Sequence, residues 1–117
     1  MEIPESPRIA VVGGGSWATA IAKILTETND HINWFMRNID TIKAFRELSH
    51  NPRYLCEVEF DLSKITFTDD INRLIGACDI IIFAIPSAFL KNVTANITVS
   101  LKNKVVVSAI KGLIPDD

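Results

Sequence analysis

The sequence has no apolar run near the roughly 20 residues that a membrane-spanning helix requires. Its most apolar stretch, Ile80–Ile85, is strand-sized. Charge of one sign is equally scarce: a net charge of −2 gives no electrostatic case for nucleic acid or an anionic membrane surface as partner. Cys56 and Cys78 stand far apart, without a Cys-x-x-Cys spacing. They read as reduced thiols, most simply small apolar fillers, and indicate a cytoplasmic setting. The opening residues, MEIPESPR, bring acids and prolines where a secretory leader carries a basic patch and an apolar core. His31 and His50 have no ligand spacing and Asp69-Asp70 reads as a helix cap, so no metal site is expected. The only tyrosine, Tyr54, lacks a lysine four positions later, which argues against a Tyr-x-x-x-Lys catalytic pair. Repeats, low-complexity tracts and linkers are absent too.

What is present is ordinary globular composition, 48% hydrophobic and 22% charged over 117 residues. That is enough for one domain with its own core, and little for a complete metabolic enzyme. Short apolar, β-branched runs alternate with segments of helical period. Strands are expected at Arg8–Val12, His31–Met36, Lys64–Thr68, Asp79–Ile85 and Lys104–Ile110. The first intervening helix carries Trp17, Ile21, Ile24, Leu25 and Thr28 on one face, and Asn29-Asp30 breaks it. The second, capped by Asn38, aligns Ile39, Ile42, Phe45 and Leu48. Asp69 or Asp70 caps a short third helix with Ile71, Leu74 and Ile75. Ser87 caps a fourth with Leu90, Val93, Ile97 and Leu101 on its inner face. Residues 49–63 show neither period and read as a long surface loop. The run Asp79–Ile85, apolar on both faces, predicts a strand inside a parallel sheet. The pattern defines an α/β fold of Rossmann type: a three-layer, doubly wound parallel sheet with right-handed crossovers.

The chemistry sits in the first turn. Between the first strand and first helix the chain reads Gly13-Gly14-Gly15-Ser16-Trp17-Ala18, a Gly-x-Gly-x-x-Ala pattern. Gly13 permits a sharp turn, and Gly15 has no side chain to hold a diphosphate away. Ala18 is small enough for the helix to approach the sheet. The helix N-terminus offers unpaired N–H groups and partial positive charge; Gly14 adds slack and Ser16 one more donor. The expected ligand is a dinucleotide. At the tip of the second strand Met36-Arg37-Asn38 lacks the acid that would bind ribose hydroxyls, so Arg37 is left to clasp a 2′-phosphate or to lie on the adenine. NADP is favoured over NAD, with dual use compatible.

GGGSWATAIA, followed in order by WFMRN, NPRYL, AIPSAFL and SAIKG, resembles the N-terminal domain of NAD(P)-dependent glycerol-3-phosphate dehydrogenases. The resemblance runs from Arg8 to about Gly112. It implies hydride transfer between NAD(P)H and dihydroxyacetone phosphate to give sn-glycerol 3-phosphate for phospholipid synthesis, in a cytoplasmic homodimer. It implies too that a second, mainly helical domain with the general acid/base lysine is absent from this chain. Residues 8–117 would then be a single truncated cofactor domain behind a flexible tail, 1–7. By the same resemblance Gly13, Gly15, Ser16 and Trp17 belong to the diphosphate loop, and Arg37 lies on the adenosine side. Phe89, just past Pro86, packs near the cofactor. Lys111 meets both cofactor and substrate, stabilising charge on the carbonyl oxygen. Trp17 and Phe89 are equally readable as core residues of their helices. The loop Asn51–Leu55 would either close over substrate or pack on the surface. Ala18, Cys56 and Ile110 depart from the glycine, proline and threonine common at these places. Another two-domain hydroxyacid dehydrogenase, or a module that senses NAD(H) without chemistry, would share much of this pattern.

Overall fold

A computed structural model describes residues 6–109. Five parallel strands, β1 (Ile9–Val12), β2 (Ile32–Phe35), β3 (Ile65–Thr68), β4 (Ile80–Phe83) and β5 (Val105–Ser108), stand in the order β3-β2-β1-β4-β5. Four helices connect them: α1 (Ser16–Thr28), α2 (Ile39–Leu48), α3 (Ile71–Ala77) and α4 (Ser87–Ala95). The sheet grows from β1 toward β2 in one direction and from β1 toward β4 in the other. A crevice therefore opens beyond the carboxyl ends of β1 and β4, where the order reverses.

Alternation along the strands builds two cores. Val11, Ile32 and Trp34 face α1 and α2, with Ala18, Ala22, Ile42 and Phe45. Ala10, Val12, Ile81 and Phe83 face α3 and α4, with Ile71, Leu74 and Ile75. All of β1 is buried, as expected of a central strand covered on both sides. Trp34 anchors the first core. Its ring meets Phe45 at 5.2 Å, edge to face, Phe60 at 5.6 Å and Phe67 at 5.7 Å, stacked. Each such pair contributes about 0.5–1.5 kcal/mol beyond the area it buries.

The helix ends follow local chemistry. Asn38 accepts from the N–H groups of Asp40 and Thr41, and Asp70 from those of Asn72 and Arg73, as anticipated. Ser87 does not cap α4: Pro86 occupies that position and Ser87 is the first helical residue. Leu101 lies beyond the end of α4, and Leu90, Val93 and Ile97 are only partly covered. The largest correction concerns α1. The face turned to the sheet is Ala18, Thr19, Ala22 and Thr26, with Ile21 and Leu25 packed at its margin. Trp17 and Ile24 are 44% and 60% exposed. The helix thus meets the sheet through its small side chains. In α2, Ile42 and Phe45 are buried while Ile39 and Leu48 at the ends are exposed.

Residues 49–63 are a loop, closing with a single 3-10 turn over Leu62–Lys64, but not merely a surface one. Phe60 completes the aromatic cluster, and Asn51 is fully buried. Cys78 lies in the second core, where burial pushes its thiol up to about 11. It stays protonated at neutral pH, as a filler should. Cys56 is exposed. At the start of the sheet Asp79 accepts from the Arg8 N–H at 2.8 Å, and that bond foremost holds its carboxyl below the usual range.

Candidate functional site

The first turn leaves β1 through Gly13, whose φ of +132° is open to glycine and strained for other residues. Its N–H donates to the Phe35 carbonyl at 3.0 Å, and its own carbonyl accepts from Trp34 Nε1 at 2.5 Å. A Cβ here would sit 2.4 Å from the carbonyl oxygen of Ala84. Gly13 is therefore required by contact between two strand ends as much as by turn geometry. Gly14 lies against the Met36 side chain. Gly15 is different: its backbone is extended, and a Cβ would meet nothing within 4 Å. Space is kept open in front of it.

That space belongs to a cleft of about 270 Å³ at the carboxyl ends of the strands, with Gly13, Gly14, Gly15, Arg37, Pro86 and Phe89 in its walls. Six predicted residues thus meet around one cavity. Arg37 is exposed at the end of β2, its guanidinium 5.6 Å from the centre of the Phe89 ring. Phe89 is 45% exposed, so it faces the cleft and is not a core residue of α4. Ser16, Trp17 and Ala18, which follow the glycines in α1, are not among the residues that line the cleft. Ser16 is exposed at the first position of α1 and Ala18 is buried beneath it. Trp17 is no core anchor either. Its indole N–H donates at 2.6 Å to the Ala109 carbonyl, tying α1 to the end of β5. Lys111 and Gly112 lie outside the described residues.

The cleft also contains Met36, Asn38 and Thr41, to which sequence reasoning assigned no ligand role, and three residues of the Asn51–Leu55 loop, for which closing over substrate and packing on the surface were both open. Met36 floors it, Asn38 and Thr41 come from the start of α2, and Asn51, Arg53 and Tyr54 arrive from the loop. Arg53 joins Arg37 as a second guanidinium, and among the described residues no carboxylate lines the cavity. Such a lining suits an anionic, partly aromatic ligand. Asn51 fixes the loop. Its Nδ2 donates to the Gly14 carbonyl at 3.1 Å and to Thr19 Oγ1 at 2.9 Å, while Oδ1 accepts from the N–H groups of Arg53 and Tyr54. The segment Asn51–Leu55 is thereby attached to the glycine turn. In the sequence this segment stands out only as the NPRYL motif of the resemblance, within a stretch that has no period. Among the described residues no group of three or more histidines, cysteines or carboxylates is placed to hold a metal ion.

A parallel sheet wound both ways from β1, with a glycine-rich first crossover over a cleft at the switch point, defines a Rossmann-type domain. The family model described as NAD-dependent glycerol-3-phosphate dehydrogenase N-terminus matches residues 8–117. The chain belongs to that family. Among curated relatives, the glycerol-3-phosphate dehydrogenase [NAD(P)+] of Pseudomonas fluorescens (strain Pf0-1) is 34% identical over 113 residues, covering 97% of this chain and 32% of that protein. The enzyme of the same name from Pseudomonas paraeruginosa is 37% identical over 109 residues, covering 93% and 32%. The chain thus spans about a third of the length of the curated relatives it matches. In fold it is similar to the crystal structure of glycerol-3-phosphate dehydrogenase from Coxiella burnetii, with a TM-score of 0.76, 24% identity and coverage of 97% of this chain and 35% of that one. The Saccharomyces cerevisiae enzyme gives 0.73 at 22% identity, covering 92% and 34%.

Proposed function

We propose that this chain is the NAD(P)-binding half of a glycerol-3-phosphate dehydrogenase, which interconverts dihydroxyacetone phosphate and sn-glycerol 3-phosphate for phospholipid synthesis. The observation that carries the reading is the glycine turn. Gly13 is obligatory where two strand ends touch, whereas Gly15 fronts open space inside a cleft with no carboxylate among its described lining residues. That cavity is shaped for a diphosphate to approach the main chain. A buried methylene in front of Gly15 would remove it.

Gly13, Gly14, Gly15 and the first turn of α1 would hold the diphosphate, with Ser16 adding a donor. Arg37 would meet the adenosine end, where a guanidinium without a neighbouring acid favours a 2′-phosphate. Phe89 and Pro86 would bound the cavity toward the nicotinamide. The reduced nicotinamide, when bound, supplies hydride to the ketone carbon of the substrate. Lys111 would offset negative charge developing on the carbonyl oxygen and attract the substrate phosphate. The general acid/base lysine is assigned to a helical domain beyond this chain. Residues 8–117 would act as one cofactor domain; most of the tail read at 1–7 lies outside the described residues. The complete protein is read as a cytoplasmic homodimer. No helix of the described residues is long and apolar enough to cross a membrane.

The test is a pair of kinetic experiments on the full-length protein. It should oxidise NADPH or NADH in the presence of dihydroxyacetone phosphate, and Arg37→Asp should raise KM for NADPH at least about tenfold more than for NADH, a difference of about 1.4 kcal/mol. Equal losses with both nucleotides would remove the 2′-phosphate assignment. Lys111→Ala should lower kcat/KM by well over about tenfold. Near-wild-type kinetics would assign that side chain to solvent.

A further inference from the structure

Three consecutive carbonyls in the glycine turn are held from behind, each by a different side chain. The Gly13 carbonyl accepts from Trp34 Nε1 at 2.5 Å, and the Gly14 carbonyl from Asn51 Nδ2 at 3.1 Å. The Gly15 carbonyl accepts from Thr19 Oγ1 at 2.6 Å and from the Thr19 N–H at 3.0 Å. Trp34, Asn51 and Thr19 are all fully buried. Asn51 and Thr19 are further joined at 2.9 Å. These donors come from β2, the loop after α2 and α1, so the turn is gripped by three separate elements.

A trans peptide is planar, and its C=O and N–H point in opposite directions; the described residues contain no cis bond. Holding the carbonyls of residues 13, 14 and 15 toward the interior therefore turns the N–H groups of Gly14, Gly15 and Ser16 the other way. Among the described residues no hydrogen bond uses any of these three donors. Among the described residues no buried side-chain nitrogen or oxygen lacks a partner. Three unused amides in succession, on a turn whose carbonyls are all engaged, form a fixed cradle for negative charge.

We infer that Trp34, Asn51 and Thr19 are positioning residues for the cofactor diphosphate. They act through the peptide planes of the glycine turn and do not touch the ligand themselves. The inference rests on the cofactor reading above and adds to it the device that keeps the cradle formed before binding. A glycine run is the most mobile backbone available, and a loop that must be ordered on binding loses affinity to that ordering. The three side chains remove this cost in advance. Asn51 has a second duty, since its Oδ1 places Arg53 and Tyr54 on the cleft wall.

The experiment compares two ligands in the full-length protein by calorimetric titration. NADPH contains the diphosphate; adenosine 2′-phosphate shares only the adenosine end. Trp34→Phe keeps a ring but removes the N–H, Thr19→Val keeps the shape but removes the hydroxyl, and Asn51→Ala removes the amide. Each is expected to weaken NADPH about tenfold, the effect of freeing one buried carbonyl, with adenosine 2′-phosphate changed less than about twofold. Thr19→Ser, which keeps the hydroxyl, should restore NADPH affinity. Should Trp34→Phe fail to fold, the Thr19 pair decides. Unchanged NADPH affinity in Thr19→Val and Asn51→Ala overturns the inference. So does equal loss of both ligands with a wild-type circular dichroism spectrum, because the residues would then hold the whole site. If the wild type binds neither ligand, the cofactor reading itself falls, a result distinct from both.

Discussion

Gly13→Ala is expected to destabilise the fold by about 3 kcal/mol or more, a large share of the 5–15 kcal/mol available to a typical domain. Two independent costs combine. At a φ of +132° an L side chain is strained by about 1–3 kcal/mol. The new methyl would also stand 2.4 Å from the Ala84 carbonyl oxygen and 2.8 Å from Ile85 Cγ2. The first of these is backbone at the end of β4, which cannot move without pulling on the β1–β4 ladder. The turn has no slack on its other side, since the Gly13 N–H and C=O are engaged by Phe35 and Trp34. A urea titration should show the midpoint falling with little change in slope. A midpoint equal to the wild type would show that the crossover is free to shift away from β4.

The order of elements was legible because strands and helices announce themselves by period and by β-branching. Val105–Val107 and Ile80–Ile82 needed no tertiary information to be recognised as strands. Which face of a helix is buried proved harder to read. In α1 the large apolar residues Trp17 and Ile24 dominate any count of hydrophobicity, yet Ala18 and Ala22 are the ones at 0% exposure. Burial in α1 follows which face meets the sheet, and hydrophobicity alone does not reveal that face. A close helix buries its small residues and turns its large ones to the margin or outward.

The site divides in the same way. Gly13, Gly15 and Arg37 were readable as cleft residues because each follows closely on a strand end. Asn51 was legible as part of the NPRYL loop but not as a hydrogen-bond partner of the turn, because it lies in a stretch without periodicity and its partners Gly14 and Thr19 are 37 and 32 residues away. Trp34 was legible as a strand aromatic but not as a hydrogen-bond donor. A buried indole must place its N–H somewhere, and here the partner is the turn that the ligand would use. The aromatic core and the candidate cofactor site thus share one residue. Truncating Trp34 would disturb both, which is why the conservative Phe substitution is the informative one.

Gly15→Ala should separate binding from folding, in contrast to its neighbour two residues earlier. The backbone of Gly15, at φ −86° and ψ −170°, is one that any residue adopts, and the space around an added methyl is empty. Two small effects on stability oppose each other. Alanine is a poorer helix N-cap than glycine by about 0.5 kcal/mol, and it restricts the unfolded chain by about 0.4–1 kcal/mol in the folded state's favour. The urea midpoint should therefore stay near that of the wild type. Binding should not. A methyl on the cleft wall would stand between the ligand and the N–H groups of Gly15 and Ser16, lengthening charge-assisted hydrogen bonds that are each worth about 1.5–3 kcal/mol. NADPH affinity should fall by about 10- to 100-fold, measured by fluorescence or calorimetric titration of the full-length protein. Wild-type affinity in a protein of wild-type stability would mean that the diphosphate never comes close to Gly15, and the open space there would need another occupant.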